Sequence, residues 1–200
     1  MTLTLALALA LVAGYLIGSF PSAAVAARLK RQDIFEVGSS SMGAMNTARN
    51  LGWALGVLVL LLDLGKGALA SGVGLWLGGF GDPLVPLAAG VGAVAGHLWS
   101  VWVGFRGGKG LATTLGVTLP VYPLGGLYAL LALLVLLGVF RKVTPATFAT
   151  AVFFPVGVFW SLEPSPERAP VTLSAGLIAL LVALKHLLPA RPTARPTRET

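Results

Sequence analysis

Residues 101–116, VWVGFRGGKGLATTLG, place Arg106, Lys109 and a run of glycines between two apolar stretches. Glycines let backbone N–H groups approach an anion closely, and Arg and Lys add formal charge, so the combination is suited to gripping a phosphate. A Walker A loop is excluded, because it needs a glycine six residues before the lysine and a hydroxyl residue after it. Those places hold Val103 and Gly110 here. The competing reading is a cytoplasmic turn whose charges only set topology, but topology alone requires no glycines. A second segment, VGSSSMGAMNTARNLG (residues 37–52), has the same character, with three serines, Asn46 and Arg49. Alone it reads equally as a flexible Ser/Gly connector. Two cationic, Gly-rich segments facing one side of a single bundle favour an anion site.

Asp63 and Lys66 stand three residues apart in an otherwise apolar run, so on a helix they share a face and can neutralise one another. A lone charge at mid-bilayer costs roughly 2.5–3.5 kcal/mol on insertion scales, so such residues face an interior. The pair is either a structural ion pair or a direct substrate contact. His97, twelve residues before Lys109, is either a catalytic base or an imidazole bonded to a neighbouring carbonyl. The absence of cysteine excludes thiol nucleophiles, disulfides and Cys-ligated zinc. No carboxylate–His cluster has metal-ligand spacing, so no metal or cofactor is expected, and no aromatic–basic surface suits nucleic acid.

The elements that must position these groups are apolar helices. Of 200 residues, 56% are hydrophobic and only 10% charged, with 26 glycines, and the mean hydropathy is +0.87. That composition belongs in a bilayer, where one span takes roughly 20 apolar residues. The chain reads as one all-α membrane domain, residues 1–188, with about seven spans. Residues 2–27 form the first, with no positive charge before it and RLKR after it, the reverse of a cleavable signal. Residues 32–50 are a cytoplasmic loop with room for a short helix; residues 51–80 and 84–104 are spans two and three, joined by a turn at 81–83. Residues 111–126, broken by Pro120 and Pro123, are expected to be a half-length or re-entrant helix. Residues 127–140, 145–162 and 171–188 complete the bundle, with 163–170 an outer loop. The basic, Pro-rich tail at 189–200 is expected to be disordered in the cytoplasm. On this topology twelve of the fourteen lysines and arginines fall at the cytoplasmic side, leaving Arg168 outside and Lys66 within a span. The N-terminus is then outside and the C-terminus inside. The small-residue run GVGAVAG (residues 90–96) predicts close helix packing.

The stretch GSFPSAAVAARLKRQDIFEVGSSSMGAMNTARNLG, followed by DLGKG, then His97 and FRGGKGLATTLG, resembles the bacterial membrane acyl-phosphate:glycerol-3-phosphate acyltransferase family over nearly the whole chain. The resemblance implies seven helices and an active site open to the cytoplasm of a bacterial cell membrane. It implies two substrates, a fatty acyl phosphate supplied by a soluble phosphate acyltransferase and glycerol 3-phosphate, and a lysophosphatidic acid product. Carried over by position, Ser39, Arg49 and Lys109 match the family's phosphate-binding and catalytic places, with His97 nearby and Gly107, Gly108 and Gly110 shaping the phosphate loop. Asn46, Asp63, Lys66, Gly67 and Thr113 also match its motifs. The chain departs from the family where Gly-Ser-Gly-Asn becomes Gly38, Ser39, Ser40 and Ser41, and where a threonine becomes Met45. Thr144 and Thr147 stand where the family has serines, and His186 is followed by Pro189 in place of an asparagine.

Phosphate is a good leaving group, so an acyl phosphate needs no acyl-enzyme; direct attack by the 1-hydroxyl of glycerol 3-phosphate suffices. Arg49, Lys109 and the glycine amides would hold both phosphates in attack geometry. The proton goes either to His97 or to a phosphate oxygen of bound glycerol 3-phosphate. The departures at Ser40, Ser41, Met45 and Pro189 leave a diverged paralogue with another acceptor as an alternative. A transporter of a phosphorylated solute lined by Asp63 and Lys66 is the reading from another class.

Overall fold

In the computed structural model, residues 1–79, 83–140, 155 and 168–187 are described, and every regular element among them is a helix. Apart from residue 155, the expected span at 145–162 lies outside the described residues, as do Thr144, Thr147, Pro189, the 189–200 tail and most of the 163–170 loop.

The first span is two helices, α1 (Leu3–Gly18) and α2 (Ser22–Arg28). Pro21 has no N–H to continue the ladder, so the helix breaks, and the Phe20 carbonyl takes the Ser22 N–H at 3.0 Å. The polar loop contains a short helix, α3 (Ala44–Leu51), separated by Gly52 (φ 108°) from α4 (Trp53–Gly78). At 26 residues α4 is roughly 39 Å long, ample for a bilayer. The stretches Leu3–Arg28 and Trp53–Gly78 are both long and apolar enough to cross one, with hydropathies of 2.1 and 1.7.

The third span ends earlier than expected. α5 (Leu84–Leu98) stops at Trp99, whose φ of −134° leaves the helical region, and a short 3-10 turn follows at Val101–Val103. The chain then doubles back. Phe105 N–H donates to the Ser100 carbonyl at 2.8 Å, Ser100 N–H to the Arg106 carbonyl at 3.3 Å and Gly108 N–H to the His97 carbonyl at 3.1 Å. His97 therefore sits in the last turn of α5, with residues 106–108 folded against it.

α6 (Leu111–Val121) has 11 residues, about half a bilayer, as the prolines predicted. α7 (Pro123–Phe140) starts four residues before the expected position. Pro123 is at the first helical position, where its fixed φ is pre-organised and its missing N–H would have had no partner anyway. α8 (Arg168–Leu187) likewise starts before residue 171.

The helices meet through missing side chains. A Cβ on Gly14 or Gly18 would strike the Ala89 or Ala93 carbonyl of α5, and one on Gly92 or Gly96 would strike the Leu11 or Tyr15 carbonyl of α1. Two reciprocal i, i+4 glycine pairs thus bring α1 and α5 backbone to backbone, as the 90–96 run predicted. Large apolar side chains such as Leu9, Val12, Leu61 and Leu180 point outward, while Ser22, Asp63, Lys66, His97 and Thr113 are buried. That distribution suits a lipid exterior and a polar interior.

Candidate active site

Asp63 and Lys66 pair as their spacing predicted, Nζ to Oδ1 at 2.9 Å, inside the bundle. Sequence reasoning missed their other partners. Ser22 Oγ donates to Asp63 Oδ1 at 2.9 Å, and Lys66 Nζ donates to the Phe20 carbonyl at 3.1 Å. The Pro21 break supplies both groups, since it turns the Phe20 carbonyl aside and starts α2 at Ser22. Its signal in the sequence was a proline amid a run otherwise fit to be one helix. A buried pair of opposite charges needs such further hydrogen bonds to offset its desolvation.

His97 lies beside this cluster, its Nδ1 3.6 Å from Asp63 Oδ1 and without a hydrogen-bond partner among the described residues. It is only 3% exposed. Its other edge meets the glycine segment: a Cβ on Gly108 would collide with His97 Nε2 and lie 2.8 Å from the Met42 carbonyl. A Cβ on Gly107 would strike the carbonyls of His97 and Leu98. Gly108 is thus wedged between the His97 imidazole and the 37–43 segment, so the two Gly-rich segments meet. Gly110 begins α6 with φ 86°, a left-handed conformation that any side chain would strain.

Lys109 follows this wedge and is half-buried, and burial pushes its ammonium below the ordinary lysine pKa. Its charge acts on the imidazole of His186 in α8, although 77 residues separate them in sequence. α8 is fastened there by Lys185, whose Nζ donates to the Leu98 carbonyl at 2.7 Å and caps the end of α5.

The first loop is organised by Asn46. Its Oδ1 accepts the Ser39 N–H at 2.9 Å, and its Nδ2 donates to the carbonyls of Ser41 at 3.0 Å and Val37 at 3.2 Å. Asn50 Nδ2 adds a bond to Asn46 Oδ1 at 3.0 Å. Asn46, expected at a substrate phosphate, bonds the loop's own backbone here and holds the exposed Ser39. Ser39 and Arg49 are both exposed. Gly67 and Thr113 meet where α4 crosses α6: a Cβ on Gly67 would strike the Thr113 carbonyl, and the buried Thr113 Oγ1 has no hydrogen-bond partner among the described residues. Both lie at this close crossing of α4 and α6.

The sequence model of the family described as "Glycerol-3-phosphate acyltransferase" matches residues 8–190. A "Glycerol-3-phosphate acyltransferase 2" of Dehalococcoides mccartyi (strain CBDB1) is 41% identical over 181 residues, 90% of this chain and 84% of the relative. The glycerol-3-phosphate acyltransferase of Geobacter sulfurreducens is 38% identical over 86% of both chains. Among solved structures, PlsY (YgiH), described as an integral membrane glycerol 3-phosphate acyltransferase, superimposes in its glycerol 3-phosphate form with a TM-score of 0.81. The identity is 32%, covering 90% of this chain and 88% of that one. Its lysophosphatidic acid form gives a TM-score of 0.77 at the same identity.

Proposed function

This chain belongs to the glycerol-3-phosphate acyltransferase family, and we propose that within it the chain moves a fatty acyl group from an acyl phosphate to the 1-hydroxyl of glycerol 3-phosphate. It is an acyltransferase that acylates glycerol 3-phosphate in phospholipid synthesis. The observation that carries the reading of the site is the wedge at Gly108, where the 37–43 segment, the end of α5 and the glycine segment converge beside Lys109. Amides of Gly107, Lys109 and Gly110, the Lys109 ammonium and Arg49 supply cationic and N–H donors for two phosphates, while the Gly108 N–H is kept by the His97 carbonyl. Ser39, held by Asn46, offers a hydroxyl at the same mouth.

The hydroxyl oxygen of glycerol 3-phosphate forms the new bond to the acyl carbon, the carbon–oxygen bond to phosphate breaks, and inorganic phosphate leaves with that electron pair. A base must come within about 2.6–3.2 Å of the proton it takes. His97 is buried with its Nε2 edge covered by Gly108, so it acts as a positioning residue that sets the height of the glycine segment. The proton passes to a phosphate oxygen of bound glycerol 3-phosphate. His186, under the field of Lys109, supports the same phosphate site. Asp63, Lys66 and Ser22 hold His97 and the broken first span in place. The bundle sits in a bacterial cell membrane with its N-terminus outside and the site facing the cytoplasm. The location of Arg28, Arg31, Arg49, Arg106 and Lys109 at one end supports that orientation. A soluble phosphate acyltransferase would provide the donor.

The test is formation of lysophosphatidic acid by purified protein from palmitoyl phosphate and glycerol 3-phosphate, with palmitoyl coenzyme A as the competing donor. Product from the acyl phosphate alone is expected. Product from the thioester alone would overturn the donor assignment, and no acylation by either would overturn the reading of the site.

A further inference from the structure

Behind the glycine segment is a second cationic feature that the transfer reaction does not use. An open cavity of about 620 Å³ is lined by Arg28, Arg31 and Arg106, with Gln32, Phe35 and Trp102. That volume falls within the roughly 300–1,000 Å³ of ordinary ligand sites. Three chain regions build it: the end of α2, the turn after it and the 101–106 hairpin. Neither Lys109 nor His97 lines it.

Its charge is unbalanced. Among the described residues none of the three guanidiniums has a carboxylate within 4 Å. Asp33 lines the same cavity, but its Oδ1 is engaged by the Phe35 N–H at 2.9 Å. Arg106 lies flat over the Phe35 ring, 3.8 Å from its centroid, and its Nε donates to the Val103 carbonyl at 3.3 Å. That fixes the plane of its guanidinium at the cavity wall. The backbone around the cavity is also strained. Arg31 and Phe105 are non-glycine residues in the left-handed region, with φ of 53° and 59°. Such conformations cost free energy and persist where the surroundings require them, often at ligand sites.

The rim identifies the ligand's other half. Leu29 is 70% exposed, Trp102 64% and Phe105 55%, all next to the arginines at the ends of apolar helices. Aromatic and aliphatic side chains beside cations at a span's end are the arrangement found at the headgroup level of a bilayer. A soluble anion would gain nothing from that apolar rim; a phosphate attached to acyl chains would.

We propose that the Arg28, Arg31 and Arg106 cavity is a binding site for the phosphate headgroup of an anionic phospholipid, separate from the transfer site and backed against its glycine segment. The phosphodiester sits between the guanidiniums, and its acyl chains run out over Leu29, Trp102 and Phe105. The site does not depend on the donor or acceptor assigned above, because it is read by binding alone.

The test is native mass spectrometry of the delipidated protein in detergent, titrated with phosphatidylglycerol, phosphatidylcholine or inorganic phosphate. The wild type should prefer phosphatidylglycerol to phosphatidylcholine by about 100-fold, at roughly five-fold for each guanidinium near a membrane surface. Arg28→Gln with Arg31→Asn should lower that preference about 25-fold, leaving the Arg106 share. Asn tolerates the left-handed conformation better than Arg, so Arg31→Asn should leave the thermal midpoint unchanged or raised while lipid affinity falls. That opposite movement separates a lost ligand contact from a damaged fold. Arg28→Gln alone, with the backbone untouched, should lose about five-fold if the double variant folds poorly. Equal binding of both lipids by the wild type, or an undiminished preference in the variants, would overturn the proposal. Displacement of phosphatidylglycerol by equimolar inorganic phosphate would also overturn it, by assigning the cavity to a soluble anion.

Discussion

Gly108→Ala is the substitution that most directly tests the wedge. Ordinary contact to a Cβ begins near 3.4 Å, but the added methyl would lie 2.8 Å from the Met42 carbonyl and closer still to His97 Nε2. Neither neighbour yields easily. The Met42 carbonyl is backbone, and the imidazole is buried beside an Asp63 that is itself held by Ser22 and Lys66. The glycine segment must therefore move by at least about 0.6 Å, and by more to clear the imidazole. A misplacement near 1 Å costs on the order of 10²-fold in rate, or about 2.7 kcal/mol of transition-state stabilisation. The assay is steady-state acyl transfer in detergent, with kcat and both KM values, beside a thermal melt. The control is Gly65→Ala, in α4 near the charged cluster but with open space around the new methyl, which should keep wild-type kcat. A Gly108→Ala protein that melts normally and turns over within three-fold of wild type would refute the idea that the glycine segment's height matters.

Four further outcomes follow from the same geometry. Lys109→Ala should lower kcat/KM by at least about 10²-fold, as the loss of a charge-assisted phosphate contact in a half-buried site. Because burial lowers the Lys109 pKa, its charge is present below that value and lost above it, so kcat/KM in the wild type should fall on an alkaline limb below the ordinary lysine value of 10.5. Lys109→Arg should move the limb beyond reach, and an unmoved limb would show that another group causes it. His97→Gln should lose under ten-fold in kcat with no change in the acid limb; a loss of 10²–10⁴ together with disappearance of a limb would make His97 the base after all. Asn46→Ala leaves the Ser39 N–H and the Ser41 and Val37 carbonyls without their partner, so roughly 2–3 kcal/mol of loop order should be lost. It should appear mainly as a raised KM for glycerol 3-phosphate, with an unchanged KM sinking that role.

What could be read in the sequence were features set by period and composition. The Asp63–Lys66 pair follows from i, i+3 spacing, close packing of the 90–96 run from its small residues, and the half-length α6 from Pro120 and Pro123. Features that depend on how the chain returns upon itself were not legible. Nothing local says that α5 stops at Leu98, because residues 99–103 are as apolar as the helix before them. The stop is fixed by hydrogen bonds from residues 105 and 108 and by Lys185, 87 residues away. Pro123 misled for a related reason: its effect depends on whether it is inside a helix or at its first turn, and only the neighbouring packing decides that. Asn46 looked like a ligand because an amide bonds a phosphate or a backbone equally well. In the structure its side-chain amide meets the backbone of Val37, Ser39 and Ser41, contacts that spacing alone does not announce.

The helix break in the first span and the phosphate grip, some 87 residues apart in sequence, are mechanically one structure. Pro21 turns the Phe20 carbonyl out of its helix, which inside a bilayer would be costly unless a donor met it. Lys66 joins the Ser22 N–H as its donor, and it can be buried only because Asp63 neutralises it. Asp63 in turn accepts from Ser22 and lies beside His97, whose ring supports Gly108. Each member is costly to bury alone and tolerable with its neighbour, so removing one should disturb the others by more than its own contact energy. The ion pair therefore need not touch substrate to matter for transfer. It fixes the platform on which a glycine segment, unable to hold its own shape, is pressed into register with the loop at 37–43.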